Sequence, residues 1–185
     1  MVVTALIAAF VWRGESQPPP PPPSSIGGAF HLVDADGRGV DQSVLLGKWS
    51  AVYFGYTLCP DTCPTTLAEL GAAQTALGEK ARRFQVVFVS VDPARDTPAR
   101  VRAFLATPSF PTGTIGLTGT PQEVKQATAA YHIYVKREGT GPNYAIDHTS
   151  IVYLMDPKGR FVAPIPPGPP DAMARQIAQE MATTG

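Results

Sequence analysis

Apolar runs alternate along this chain with polar, turn-rich stretches, and their periods separate strands from helices. "SAVYFGY" (50–56) and "FQVVFVSV" (84–91) are short and rich in β-branched and aromatic residues. Both read as buried strands, the second typical of the middle of a parallel sheet. Between them, "PTTLAELGAAQTAL" places Leu67, Leu70 and Leu77 at helical spacing. "DTPARVRAFL" opens a second helix with Thr97 as N-cap and Pro98 in its first turn. "TPQEVKQATAAY" opens a third more strongly: Thr120 caps, Pro121 follows and Glu123 completes a capping box. Ahead of these elements, "FHLVDADGRGVDQ" sets Asp36-Gly37 between two extended runs, a hairpin signal. Behind them, "SIVYLM" (150–155) is a strand and "DPKG" (156–159) a tight turn into "RFVAPI". Met173, Ile177 and Met181 mark one face of a closing helix.

The order is hairpin, then β-α-β-α-α, then a β-hairpin and a helix. It predicts an α/β fold: a central mixed sheet flanked by helices, with an added N-terminal hairpin. In open α/β sheets, sites lie at the carboxyl ends of the strands. Strand 50–56 runs straight into "GYTLCPDTCPTT" (55–66), which holds both cysteines of the chain, and then into a helix. This is a thioredoxin-like arrangement, with Cys59 and Cys63 where that fold keeps its redox dithiol.

The first 25 residues differ in kind. Residues 2–12, "VVTALIAAFVW", are apolar but shorter than the ~20 residues a bilayer span takes. We read residues 1–12 as the outer part of a membrane anchor or signal segment. Residues 13–25 form a proline-rich linker, with Pro18 to Pro23 unbroken, stiff and extended as polyproline helix. Residues 26–185 are the globular domain. Apolar segment, stiff spacer and domain are the layout of a tethered extracytoplasmic protein.

With 185 residues the chain buries enough surface to fold without staples, so two cysteines are not needed as a framework. Lys+Arg and Asp+Glu balance at 15 each and no basic tract occurs, which argues against a nucleic-acid partner.

Cys59 and Cys63 lie four apart, each followed by a proline. Pro60 and Pro64 stiffen the loop and aim both sulfurs at one point. Cys63 falls at or just inside the helix N-terminus, where the dipole favours an anion, so its thiolate is expected to be the more available. The wider spacing than C-x-x-C lets the thiols close on each other or open around one thiophilic ion. Of the three histidines, His31 and His132 read as surface or packing residues. His148 sits in a turn-rich loop just before a strand, where a sheet-edge position could bring it beside the cysteines. Asp147 beside it is either an orienting group or a turn residue.

"FGYTLCPDTCPTTLAEL", "VFVSVDPARDTPARV" and "DHTSIVYLMDPKGRF" together resemble the Sco/SenC family of cytochrome c oxidase assembly proteins, over residues 26–183. The resemblance implies a thioredoxin-like copper-binding domain on one N-terminal anchor, facing the bacterial periplasm or the mitochondrial intermembrane space, of which we favour the periplasm. It implies copper, as Cu(I) or Cu(II), held by Cys59, Cys63 and His148, with Asp61 as the motif aspartate between the cysteines. The implied partners are the copper-binding subunit of the oxidase and another copper chaperone. The same two cysteines, metal-free, would carry thiol–disulfide exchange with a target. The rival reading is a general extracytoplasmic thiol–disulfide oxidoreductase with no metal in its cycle. A peroxidase would need an arginine near the thiol, and none is close in sequence. Asp92-Pro93 and Arg95-Asp96 read as shaping the loop after the second strand, with partner docking as the sharper alternative. Tyr53 and Tyr56 read as core.

Overall fold

The computed structural model describes residues 26–183; the segment 1–12 and the linker 13–25 lie outside them. The chain forms β1 (His31–Asp34), β2 (Gly39–Asp41), β3 (Trp49–Gly55), α1 (Thr62–Ala76), β4 (Phe84–Ser90) and α2 (Pro98–Leu105). It continues with β5 (Ile115–Thr118), α3 (Pro121–Ala130), β6 (Val135–Glu138), β7 (Ala145–His148), β8 (Val152–Met155), β9 (Phe161–Ile165) and α4 (Pro170–Thr183). Seven strands make one mixed sheet in the order β2-β1-β5-β4-β3-β8-β9, while β6 and β7 form a separate pair.

The centre of the sheet is its most apolar part. All seven residues of β3 are buried, and six of the seven in β4. The two run parallel in register from Trp49↔Phe84 to Gly55↔Ser90, so their carboxyl ends finish side by side. Side chains alternate between faces. Tyr53 and its register neighbour Phe88 point to the face that α1 and α2 cover, where Phe88 meets Phe104 at 5.6 Å between ring centroids. Phe54 points the other way, onto Tyr131 at the end of α3, at 5.3 Å. The stripe Cys63, Thr66, Leu67, Leu70 and Ala73 buries α1 along one side. α4 lies along α1 and β9 and buries Met173, Ile177 and Met181. Burying a side chain of that size stabilises by roughly 1.5–3 kcal/mol.

The caps form as expected. Thr97 accepts from the Arg100 amide, and Thr120 and Glu123 close a reciprocal capping box. The hairpin at Asp36-Gly37 also forms and joins the sheet edge through β5.

Two elements were not read from sequence. Residues 112–120, glycine-rich, contain β5, which pairs parallel with β4. A Cβ at Gly116 would meet Val101 Cγ1 and Leu105 Cδ1 at 2.5 Å. The glycine is there because α2 packs directly on the strand, and it erases the strand's apolar signal. The second is the β6–β7 hairpin. All four residues of β6 are exposed, and only Ile146 of β7 is buried, so no period-2 pattern marks it. His148 accordingly does not lie in a loop; it is the last residue of β7, paired with Val135.

Candidate metal and dithiol site

β3 and β4 end together, and the amide of Val91 extends their pairing by donating to the Gly55 carbonyl at 2.8 Å. Beyond Gly55 the chain turns back: the Cys59 amide donates to the Tyr56 carbonyl at 3.2 Å. Thr57, at the start of this turn, is held by Asp96, which accepts from its amide at 3.0 Å and its hydroxyl at 2.6 Å. Asp96 also accepts from the Ser90 hydroxyl at 2.6 Å, and its carbonyl accepts from Thr118 at 2.7 Å. One buried aspartate thus ties the ends of β4 and β5 to the cysteine loop. Burial pushes its carboxyl upward, against the hydroxyl and amide donors that favour the anion.

The first turn of α1 holds the two sulfurs. Thr62 opens the helix and Cys63 follows, so the Cys63 amide is one of the donors that no helical carbonyl can satisfy. It donates to Cys59 Sγ at 3.3 Å. Asp61 stands at the N-cap position yet makes no side-chain cap, and Pro64 brings no N–H. The sulfur of Cys59 takes the place of a capping oxygen. Both cysteines are free thiols, Cys59 half-buried and Cys63 buried.

This reverses the expectation that Cys63 carries the available thiolate. Cys59 lies well below the usual thiol range. The Cys63 thiol donating to it is the leading cause, followed by the Cys63 and Asp61 amides. Cys63 is driven up, because its proton is shared with Cys59 and because it is buried. The helix N-terminus does favour an anion, but its amide points at the sulfur ahead of the helix, not at the one inside it. Gly55 makes room for the buried sulfur: a Cβ there would lie 2.9 Å from Cys63 Sγ.

His148 Nε2 lies 3.6 Å from Cys63 Sγ, across 85 residues of sequence. Its Nδ1 is 3.0 Å from the Thr149 carbonyl. A carbonyl only accepts, so Nδ1 carries the proton, and in the neutral ring Nε2 turns its lone pair toward the sulfurs. Tyr56 meets the imidazole edge-on, with centroids 5.9 Å apart and planes at 84°, and its hydroxyl accepts from the Ile146 amide at 3.4 Å. Tyr56 is core, as read, but is also the wall on which the imidazole rests. His31 and His132 are exposed and stand apart from the pair. Asp147 is exposed, paired across the hairpin with Lys136.

Cys59, Asp61 and His148 line an open cleft of about 260 Å³. A larger groove of about 580 Å³ lies at the opposite end of the sheet, by Lys48 and Arg82. It brings no thiols or imidazoles together, so chemistry and not size marks the site. Among the described residues no three His, Cys, Asp or Glu side chains stand as a ready-made metal cluster. Cys63 stands between Cys59 and His148 instead, its amide on Cys59 Sγ at 3.3 Å and its sulfur 3.6 Å from His148 Nε2. The donor set of the three, two soft sulfurs and an imidazole, suits a thiophilic cation. Leu58, Tyr134, Val135 and Ile151, large apolar residues left exposed, flank these positions in sequence or register.

Sequence reading named Asp92 and Arg95 but not what they reach. Arg95 donates from Nη1 to the Pro142 carbonyl at 3.1 Å and the Tyr144 carbonyl at 2.9 Å. Its guanidinium lies 3.5 Å from the Tyr144 ring centroid. Asp92 accepts from Arg95 Nε and from the Tyr144 hydroxyl. Asp92 and Arg95 do shape their loop, but they also reach the hairpin that carries His148. Tyr144 and Thr57 gave no signal, because their partners stand 52 and 39 residues away.

The sequence profile of the SCO1/SenC family matches residues 18–182. The chain is 42% identical over 141 residues to "Protein SCO1 homolog 1, mitochondrial" of Arabidopsis thaliana, covering 75% of this chain and 42% of that protein. It is 42% identical over 154 residues to "Protein SCO1, mitochondrial" of Saccharomyces cerevisiae, covering 81% of this chain and 50% of that one. The chain thus spans about half or less of these relatives' length. The structure of Bradyrhizobium japonicum ScoI with copper bound superimposes with a TM-score of 0.76 at 40% identity, over 84% of this chain and 99% of that one. A thioredoxin-like sheet, a stiff C-P-D-T-C-P turn and a match over nearly the whole described chain place this protein in the SCO1/SenC family.

Proposed function

We propose that this protein is a copper metallochaperone that also exchanges thiol for disulfide, and that it assists assembly of the dinuclear copper centre of cytochrome c oxidase. Cys59, Cys63 and His148 would hold the copper cargo. The observation that carries this reading is the imidazole: its proton is fixed on Nδ1 by the Thr149 carbonyl and its Nε2 faces Cys63 at 3.6 Å. That separation suits two ligands of one ion at bond lengths of about 2.0–2.3 Å. Two thiolates and a neutral imidazole carry two negative charges, so Cu(I) leaves one and Cu(II) none. Three donors and an open cleft leave a position free for ligand exchange with a partner, whereas a structural zinc site closes with four. That ScoI was solved with copper bound adds weight.

The dithiol supports a second step. Cys59 sulfur attacks one sulfur of a target disulfide, forming a mixed disulfide and releasing the other target thiolate. Cys63, giving up its proton, then displaces the remaining target sulfur. The target gains two electrons and the chain keeps a Cys59–Cys63 disulfide. A reduced target can then accept metal. The alternative is a general oxidoreductase with no metal in its cycle. The imidazole facing the dithiol argues against it as the main role, since thiol–disulfide exchange alone needs no third donor at 3.6 Å.

The partners we infer are the copper-binding oxidase subunit and a second copper chaperone, met through the apolar residues beside the cleft. The compartment we infer is extracytoplasmic, the periplasm ahead of the intermembrane space, with attachment through residues 1–12. No helix among the described residues is long and apolar enough to cross a membrane. The test is titration of the reduced protein with Cu(I) and Cu(II), beside Cys59→Ala and His148→Ala. One copper per chain is expected, with Cu(II) affinity falling at least tenfold in His148→Ala. Equal Cu(II) binding by that variant removes the third ligand, and rapid reduction of a model disulfide without any copper retention favours the oxidoreductase.

A further inference from the structure

His148 reaches the cysteines on a hairpin that shares no ladder with the main sheet, so something other than strand pairing must set its position. We propose that Arg95 is a positioning residue for His148: it latches the β6–β7 hairpin to the β4–α2 loop and so decides whether the imidazole stands at the dithiol. This rests on the reading of His148 as a copper ligand.

The latch is built from four contacts on one guanidinium. Nη1 takes both the Pro142 and Tyr144 carbonyls of the hairpin turn. Nε binds Asp92, itself 2% exposed. The plane stacks on the Tyr144 ring at 3.5 Å, and Arg137 covers that ring at 3.8 Å. The Tyr144 hydroxyl closes the loop by donating to Asp92. Nη2 of Arg95 is buried without an acceptor. Such an orphan donor is costly, and an arginine free to swing out would take it to water. It stays because the other contacts over-determine the side chain. Only a planar, forked cation makes these bonds and the stack together.

The same loop grips the other half of the site. The Asp92 amide donates to Ser90 Oγ at 3.0 Å, Ser90 donates to Asp96, and Asp96 holds Thr57 at the start of the cysteine turn. Residues 90–96 therefore act as a jig, with the sulfurs fixed through Asp96 and the imidazole through Asp92 and Arg95.

The test uses the full chain with Arg95→Met, Arg95→Lys and Tyr144→Ala, the last removing the stacking ring should the Arg95 variants fail to fold. The first readout is copper-free: hydrogen exchange of the β6–β7 amides against those of β3 and β4. The second is the Cu(II) electronic and paramagnetic spectrum and affinity, compared with His148→Ala. In Arg95→Met the hairpin amides should exchange at least about tenfold faster with β3 and β4 unchanged. Cu(II) affinity should fall about 10–100-fold, the range for outer-shell partners of a ligand, and the spectrum should move to that of His148→Ala. Cu(I), held by two thiolates, should change less than about threefold, and Arg95→Lys should not rescue. Parent-like exchange and spectrum in both Arg95→Met and Tyr144→Ala overturn the proposal. So does faster exchange with an unchanged Cu(II) spectrum. If His148→Ala itself leaves Cu(II) binding intact, the ligand reading fails by its own control, and hairpin exchange alone decides whether Arg95 is a latch.

Discussion

The cysteine loop and the histidine hairpin meet within 3.6 Å, yet they are held by different physics. The cysteine loop leaves the end of β3, a strand buried along its whole length and paired on both sides, to β4 and to β8. Its sulfurs inherit the rigidity of the sheet and of α1. The hairpin is two strands alone, mostly exposed, and two-stranded ribbons are marginal in water. It is attached by side chains, chiefly Arg95, Asp92 and Tyr56. A site joined from one rigid and one tethered half can keep its two sulfurs in register while the third donor comes and goes. That suits the proposed metallochaperone, which would hold a cargo and then release it.

The largest contrast should appear in hydrogen exchange of the copper-free protein. Amides of Val86 to Val89 should open only with the whole domain, while those of Val135 to Glu138 open locally, a difference of at least about a thousandfold. Similar protection in both would show that the hairpin is as firmly fixed as the sheet. Next comes a pair of glycine substitutions. Gly55→Val pushes against Cys63 Sγ at 2.9 Å and Phe88 Cε2 at 3.0 Å, and should cost about 3 kcal/mol in urea unfolding. Gly141→Ala, with φ near 80° but no atom within 4 Å of the added Cβ, should cost only about 1–2 kcal/mol.

Alkylation sharpens the comparison within the loop. The Cys59 thiol is lowered on folding, so its thiolate persists as pH falls from 8 toward 5. An ordinary thiol near pKa 8.5 loses about tenfold in thiolate per pH unit over that interval. The rate at Cys59 should stay nearly flat with pH in the folded, reduced protein and fall steeply in urea, with Cys63 labelled last. Preferential labelling of Cys63 would reverse the assignment. The smallest effect should be on stability in His148→Ala: less than about 1 kcal/mol, because the ring is partly exposed and belongs to the tethered half.

Much of the rigid half was legible before any coordinates. β3 and β4 announce themselves by composition, and α2 and α3 by their Thr-Pro caps. The cysteine turn follows directly from β3. The tethered half was not, since β6 shows no buried position and the turn residues Gly139 to Asn143 read only as loop. His148 drew attention only as a histidine before a strand, strengthened by family resemblance.

The amino-acid order alone determined the α/β class, the order of the elements other than β5 and the β6–β7 hairpin, and the stiff placing of two thiols at a strand's end. Those follow from short-range rules: period, caps and turns act within a few residues. Only the tertiary structure decided which sulfur the helix amide meets, that an imidazole 85 positions away faces them, and that Arg95 bridges to Tyr144. Those outcomes depend on burial and on contacts between segments distant in sequence, which no local pattern encodes.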